Sequence, residues 1–198
     1  MGHSKATLPF GPELMLQRVV RLLAEVVSPI VVVAAQDQVL PHLASDVLIA
    51  RDQRGGRGPL EGLLAGLSAI APHADAAYAT SCDVPLLSPD FVRYMISRLR
   101  DNDIAVPADE QFHHPLAAVY RTSVVSTIAE LLASDQMRPV FLFDKVKTQR
   151  IPVSELATVD PGLATLENLN RPEDYRAALE TAGLEVDPKI EKELWSGR

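Results

Sequence analysis

The sequence predicts an α/β domain in which a mostly parallel sheet is covered by helices on both faces. Three observations carry that reading. Two short runs, Ile30–Ala35 and Ala76–Ser81, are too apolar to have a wet face, as expected of strands buried on both sides. The second run ends abruptly, in Cys82-Asp83-Val84-Pro85. Between the runs, apolar residues recur at helical spacing behind capping residues and prolines. A chain of 198 residues with 47% hydrophobic residues is long enough to bury one large core, and neither a repeat nor a linker divides it. One domain over residues 1–182 with a tail at 183–198 is the economical organisation.

Taken in order, Met1–Pro12 reads as a loop by its Gly and Pro content. From Glu13, the residues Leu14, Met15, Val19, Leu22, Leu23, Val26 and Val27 form one helical face, with Gln17, Arg18, Arg21 and Glu25 on the other. Pro29 ends that helix, and the β-branched run Ile30–Ala35 follows as a strand. The pattern next predicts a short helix around Val39–Ala44 and a strand over Asp46–Ala50 that leads into Arg51-Asp52. Gln53–Gly58 is a glycine-rich loop with two arginines, a segment suited to an anionic group and equally to a solvated turn. Pro59 then opens a helix running to Ile70.

Pro85 stops the Ala76–Ser81 strand, having no N–H to give a ladder. Ser88-Pro89-Asp90 starts the following helix, with an N-cap hydroxyl and proline at the first helical position. Asp83 thus stands where a strand hands over to a helix. At the carboxyl edge of an open α/β sheet a carboxylate either caps its own turn or meets a ligand or metal, and the position favours the second. Asp103–Pro107 is a further strand, Ala108–Gln111 an acidic loop, and His113–Tyr120 a loop entering a strand. Thr122–Ala133 and Arg138–Phe143 read as helical, Thr148–Val153 as a strand. Thr165–Tyr175 reads as strand, polar turn and helix start, with Asn168 and Asn170 alternating around Leu169 so that both amides point to one side.

Net charge −7 excludes a general nucleic-acid binder, because no basic stripe is available to neutralise phosphates. No stretch reaches the ~20 apolar residues of a membrane span, and the start does not read as a signal peptide, so the cytoplasm is the expected location. The single cysteine, Cys82, precludes an internal disulfide and a Cys-based zinc site, and its strand position suits a small core residue better than a nucleophile. The pair His113-His114 has no ligand cluster at metal spacing beside it.

Four separated pieces coincide: Met1-Gly2-His3-Ser4-Lys5, Gly58-Pro59-Leu60-Glu61-Gly62, Cys82-Asp83-Val84-Pro85 and Asn168-Leu169-Asn170-Arg171-Pro172. Together they resemble the MobA-like nucleotidyltransferases, and within them the molybdenum cofactor guanylyltransferase branch, from Met1 to about Ala182. The resemblance implies a Rossmann-like three-layer α/β/α sandwich of the nucleotide-diphospho-sugar transferase type. It implies transfer of GMP from GTP onto molybdopterin with release of pyrophosphate, with Mg²⁺ as cofactor and transient contact with other cofactor-biosynthesis proteins or molybdoenzymes. Residue by residue, Lys5 matches the phosphate-contacting lysine, Asp52 a nucleotide-contacting aspartate and Asp83 the Mg²⁺-holding aspartate. Asn168 and Asn170 match a motif on the pterin or metal side, and His114 a segment lining the acceptor pocket. Two departures stand out. Where the family carries a polar residue near the end of its second strand this chain has Val33, Ala34 and Ala35, which keeps a CTP-using relative open. The strand and Leu-x-Gly-Gly-x-x-x-Arg loop that precede Met-Gly in the family are not in this sequence. That second departure keeps an inactive nucleotide-binding homologue open, and leads to the expectation that residues 1–198 alone are marginally stable.

Overall fold

The computed structural model describes residues 4–52, 58–110 and 112–195. After a 3₁₀ turn at Lys5–Thr7, the chain forms β1 (Pro9–Phe10), β2 (Glu13–Leu14), α1 (Met15–Ala24), β3 (Val31–Ala35) and β4 (Leu48–Asp52). Then come α2 (Pro59–Ile70), β5 (Ala76–Thr80), α3 (Pro89–Leu99), β6 (Ile104–Ala108) and β7 (Ala117–Arg121). The remainder is α4 (Val125–Ala133), α5 (Pro139–Phe143), β8 (Thr148–Pro152), α6 (Val153–Leu156), α7 (Pro172–Thr181) and α8 (Pro188–Trp195).

The fold is mixed α/β, as expected. β3 and β4 form a parallel pair in register from Val31 opposite Leu48 to Ala35 opposite Asp52. A four-stranded sheet has the order β5-β7-β6-β8. In it β6 and β8 are parallel, while β7 runs antiparallel to both β5 and β6. The period-2 pattern of a strand carries no direction, so the reversal at β7 is not visible in sequence; the short β6–β7 connection imposes it.

Residues of β6 and β7 show why both faces must be apolar. Ile104, Val106, Ala118 and Tyr120 pack with α2, α4 and α5 on one face. Ala105, Ala117 and Val119 pack with Phe91, Met95 and Leu99 of α3 on the other. Each fully buried large side chain contributes about 1.5–3 kcal/mol, so this double-sided burial is the main anchor of the layers. The Tyr120 hydroxyl keeps its hydrogen bond inside the core by donating to the Pro115 carbonyl oxygen at 2.7 Å. Ser88 caps α3 as expected, its Oγ accepting from the Phe91 amide at 3.3 Å.

Several expectations are corrected. Residues 39–44 are not helical, and Pro41 in their midst explains it: a proline there removes a helical hydrogen bond and restricts Leu40. The segment before Asn168 is a 3₁₀ turn at Ala164–Leu166 and not a strand, and it pairs with no strand among the described residues. The N-terminal loop contains a 3₁₀ turn and one strand of a two-residue ladder, β1 with β2. Past Gly183 the chain is no loose tail, because Leu184, Val186, Ile190 and Leu194 pack against the cluster built by Phe10, Met15 and Tyr175. The arginine-glycine loop falls on 53–57, and Met1-Gly2-His3 of the first motif on 1–3, both outside the described residues. Among those described, no helix is long and apolar enough to cross a membrane.

Candidate functional site

Asp83 sits three residues beyond the carboxyl end of β5, and the chain works to hold it there. Val84 and Leu87 are buried against Val19, Leu23 and Val92. The guanidinium of Arg18 on α1 donates to the Pro85 carbonyl oxygen at 2.7 Å while lying 4.9 Å from the Phe10 ring centre. The Asp83 carbonyl oxygen accepts the Leu169 amide at 3.0 Å, which ties the distant Asn168–Asn170 segment to the same turn. Leu169 is buried, so its two neighbours are turned the other way, toward the carboxylate.

Around that carboxylate four side chains converge. Lys5 Nζ donates to Asp83 Oδ2 at 2.7 Å and to Asn170 Oδ1 at 2.8 Å. Asn168 Nδ2 donates to Asp83 Oδ1 at 2.7 Å and to Ser81 Oγ at 2.9 Å. Ser81 Oγ in turn donates to Asp83 Oδ1. Lys5 reaches the site because the turn carrying it is pinned: Ala6 is buried against Leu16 and Val32, and the Leu8 amide donates back to the Lys5 carbonyl oxygen. Asn170 is fixed by Asp174 at the start of α7, whose Oδ2 accepts the amides of Asn170 and Arg171 at 3.1 and 2.8 Å.

Only 7% of Asp83 is exposed. Burial pushes its acidity constant up, but the hydrogen bonds from Lys5, Ser81 and Asn168 and the lysine charge outweigh burial and hold the carboxyl below its ordinary value. Asp83 is therefore ionised at neutral pH. Next to it, Cys82 is pushed up, first by burial and then by the Asp83 charge, so its thiol is a poor nucleophile. It packs beside Ala6, Leu16 and Val32 as a small core residue.

Lys5, Asp83, Asn168 and Asn170, proposed from sequence as site residues, thus form one bonded network. Asp52 and His114 are outside it. Asp52 ends β4 opposite Ala35, on the separate parallel pair. His114 shares the sheet edge with Asp83, since Thr80 pairs with Ala117 and the Ala117 amide donates to the His114 carbonyl oxygen at 3.1 Å. Burial pushes the His114 imidazole below its ordinary value. Sequence reasoning missed Ser81, Arg18 and Asp174. Ser81 was accessible to it, because residues two apart at a strand end share a face.

Chemically, the site offers a fixed ammonium and a fixed carboxylate in contact, with oxygen donors beside them. Among the described residues Lys5 Nζ donates to two acceptors, so an arriving phosphate can take a further proton or compete with Asp83. A single carboxylate flanked by a hydroxyl and two amides is a hard, oxygen-rich set of low charge. That set fits Mg²⁺, which keeps most of its shell for phosphate and water, better than Zn²⁺.

The MobA-like NTP transferase domain matches residues 1–148. A Mycobacterium ulcerans protein named "Probable molybdenum cofactor guanylyltransferase" is 36% identical over 163 residues, 79% of each chain. One of the same name from Mycobacterium avium is 35% identical over 183 residues, 89% of this chain and 87% of that one. Among solved structures, molybdopterin-guanine dinucleotide biosynthesis protein A from Archaeoglobus fulgidus superposes with a TM-score of 0.75 at 16% identity, covering 92% of both chains.

Proposed function

The chain belongs to the MobA-like NTP transferase family, and from that premise we propose that this nucleotidyltransferase moves GMP from GTP onto molybdopterin, releasing pyrophosphate. The observation that carries the reading is the Lys5–Asp83–Asn168–Asn170 network at the carboxyl edge of β5. The name borne by the mycobacterial relatives supports guanine as the base and the molybdenum cofactor as the acceptor.

In this reading an oxygen of the molybdopterin phosphate forms a new bond to the α-phosphorus of GTP, and the bond from that phosphorus to the β-phosphate bridging oxygen breaks. Two anions must approach each other, so charge neutralisation and alignment carry the rate. Lys5 supplies the point charge: its Nζ shares its hydrogen bonds between Asp83 and the triphosphate. Asp83, with Asn168 beside it, would hold Mg²⁺, whose chemistry is to neutralise the phosphate oxygens and stabilise the pyrophosphate leaving group. Ser81 keeps the Asp83 carboxylate oriented. Asp52 contributes a nucleotide contact from the end of β4, and Asn170 and the largely neutral His114 line the acceptor side.

The test is incubation of the protein with molybdopterin, Mg²⁺ and α-labelled GTP or CTP. Labelled dinucleotide from GTP is the expected product. Product from CTP alone would overturn guanine selection, and none from either nucleotide would overturn the transferase reading.

A further inference from the structure

The Asn168–Asn170 segment that closes over Asp83 belongs to no ladder: it follows the 3₁₀ turn at Ala164–Leu166 and pairs with no strand among the described residues. One backbone bond joins it to the Asp83 turn, the Leu169 amide donating to the Asp83 carbonyl oxygen at 3.0 Å. A single bond of that kind is a pivot. It fixes a distance, yet a modest rotation about it would carry Asn168 Nδ2 away from Asp83 Oδ1, which it meets at 2.7 Å.

A second tether lies on the other side of Asn168. The Thr165 hydroxyl oxygen accepts, at 2.9 Å, the amide of Ser88, the residue that caps α3 shortly after the Asp83-Val84-Pro85 turn. The Thr165 amide donates in turn to Asp160 Oδ2 at 2.9 Å. Asp160 is held by its own backbone, whose amide donates to the Leu156 carbonyl oxygen at the end of α6 and whose carbonyl oxygen accepts from the Leu163 amide at 2.8 Å. Along residues 165–169 the bonds to Ser88 and to Asp83 therefore flank Asn168, and two points fix an orientation that one cannot.

The makeup of the interior points the same way. Apart from tyrosines, the buried polar side chains among the described residues are Glu61, Asp83, Asp160 and Thr165, and the last three all belong to this arrangement. Valine has the shape of threonine and would fill the Thr165 position with no polar atom to satisfy, so what the hydroxyl adds is its bond to Ser88. Leu163 takes a φ of 51°, a left-handed conformation unfavourable for a bulky residue, and is kept there by its bond to Asp160 and by packing against the α3 cluster.

We propose that Thr165 and Asp160 are positioning residues for the transfer reaction, acting through Asn168. They set the angle at which that amide meets the Asp83 carboxylate, and so the direction in which the carboxylate faces an incoming triphosphate. The assignment rests on the transferase reading above, and both residues act at one remove from the reacting groups.

The experiment compares the parent with Thr165→Val, Thr165→Ser, Asp160→Ala and Asp160→Asn. Asn102→Ala is the control, because Asn102 Nδ2 donates to the Leu99 carbonyl oxygen at 3.0 Å at the far end of α3, and its loss destabilises away from the site. Thr165→Val and Asp160→Ala should speed hydrogen exchange at the Leu169 amide, relative to the amides of β6 and β7, by about fivefold or more. They should lower kcat on the order of tenfold while KM for GTP stays within about twofold, as misplacement of a positioned group does. Thr165→Ser and Asp160→Asn keep the accepting oxygen and should restore both readouts. Asn102→Ala should lower Tm and change neither. A lower Tm in Thr165→Val with kcat and relative Leu169 exchange unchanged would make the tether structural only and overturn the proposal, as would failure of Thr165→Ser to restore kcat. Absence of turnover in the parent would instead overturn the transferase reading. The exchange arm needs no substrate and separates the two: faster Leu169 exchange in Thr165→Val but not in Asn102→Ala still supports the tether, and equal exchange overturns it.

Discussion

Replacing Asp83 by Asn separates what the carboxylate does for the fold from what it does for chemistry. Asp83 accepts Lys5 Nζ and Asn168 Nδ2, each at 2.7 Å, and the Ser81 hydroxyl. An amide keeps one oxygen, which can go on accepting from Asn168 and Ser81; its NH₂ then faces the Lys5 ammonium, donor against donor. One charge-assisted bond, worth about 1.5–3 kcal/mol, is lost. Lys5 offsets part of this, because its side chain is 28% exposed and Asn170 still accepts from it. The net cost is about 2 kcal/mol, or a Tm lower by roughly 4–8 °C in a domain of this size. Transfer should fall much further, by about 10²–10³-fold, as when a fixed electrostatic group is removed from a reaction that develops charge. Ser81→Ala serves as the comparison: it removes the hydroxyl's bond to Asp83 and its bond from Asn168, keeps the carboxylate, and should retain activity within about tenfold. Calorimetric melts and the labelled-nucleotide assay on the three proteins decide the matter. Turnover in Asp83→Asn within twofold of the parent, with the melt intact, would refute the assigned role.

Asn168→Ala should cost about 1–2 kcal/mol, read as a lower midpoint in urea unfolding, because Asp83 Oδ1 loses a donor in a buried place. The His114 ring should titrate below the ordinary histidine value of about 6.5, since burial disfavours its cation; an NMR pH titration with a midpoint above 7 would contradict that. Asp83 has its folded acidity constant below the unfolded one. Its contribution to stability is therefore fully present above about pH 4 and is lost only as pH falls through the lower, folded value. Melts of the parent and Asp83→Asn should accordingly differ by the same amount from pH 7 down to about pH 5 and converge at more acid pH.

Much of the site was legible because its parts are held by strong local rules. An apolar run that stops at Asp83-Val84-Pro85 can only be a strand ending, and Ser88-Pro89 can hardly be other than a helix start; both stand where expected. The alternation Asn168-Leu169-Asn170 put both amides on one side even though no strand forms there, since burial of Leu169 alone sets the alternation. What escaped was long-range. That Arg18 on the polar face of α1 would brace Pro85, or that Asp174 would order Asn170, depends on how elements dock and not on their own patterns. The helix expected at Val39–Ala44 failed for a local reason, Pro41, that outweighs the apolar spacing around it. The helix after Gly183 was passed over because its apolar residues are sparse, yet Leu184 and Ile190 find cover on the Phe10 cluster.

Calorimetric titration of GTP into the parent protein, Lys5→Ala and Asp83→Asn, each with and without Mg²⁺, bears most directly on a nucleotide site organised by Lys5 and Asp83. The parent should bind GTP more tightly when Mg²⁺ is present. Lys5→Ala should bind at least about tenfold more weakly, the equivalent of roughly 1.4 kcal/mol, and Asp83→Asn should lose the Mg²⁺ effect. Equal, Mg²⁺-independent affinity in all three would contradict it.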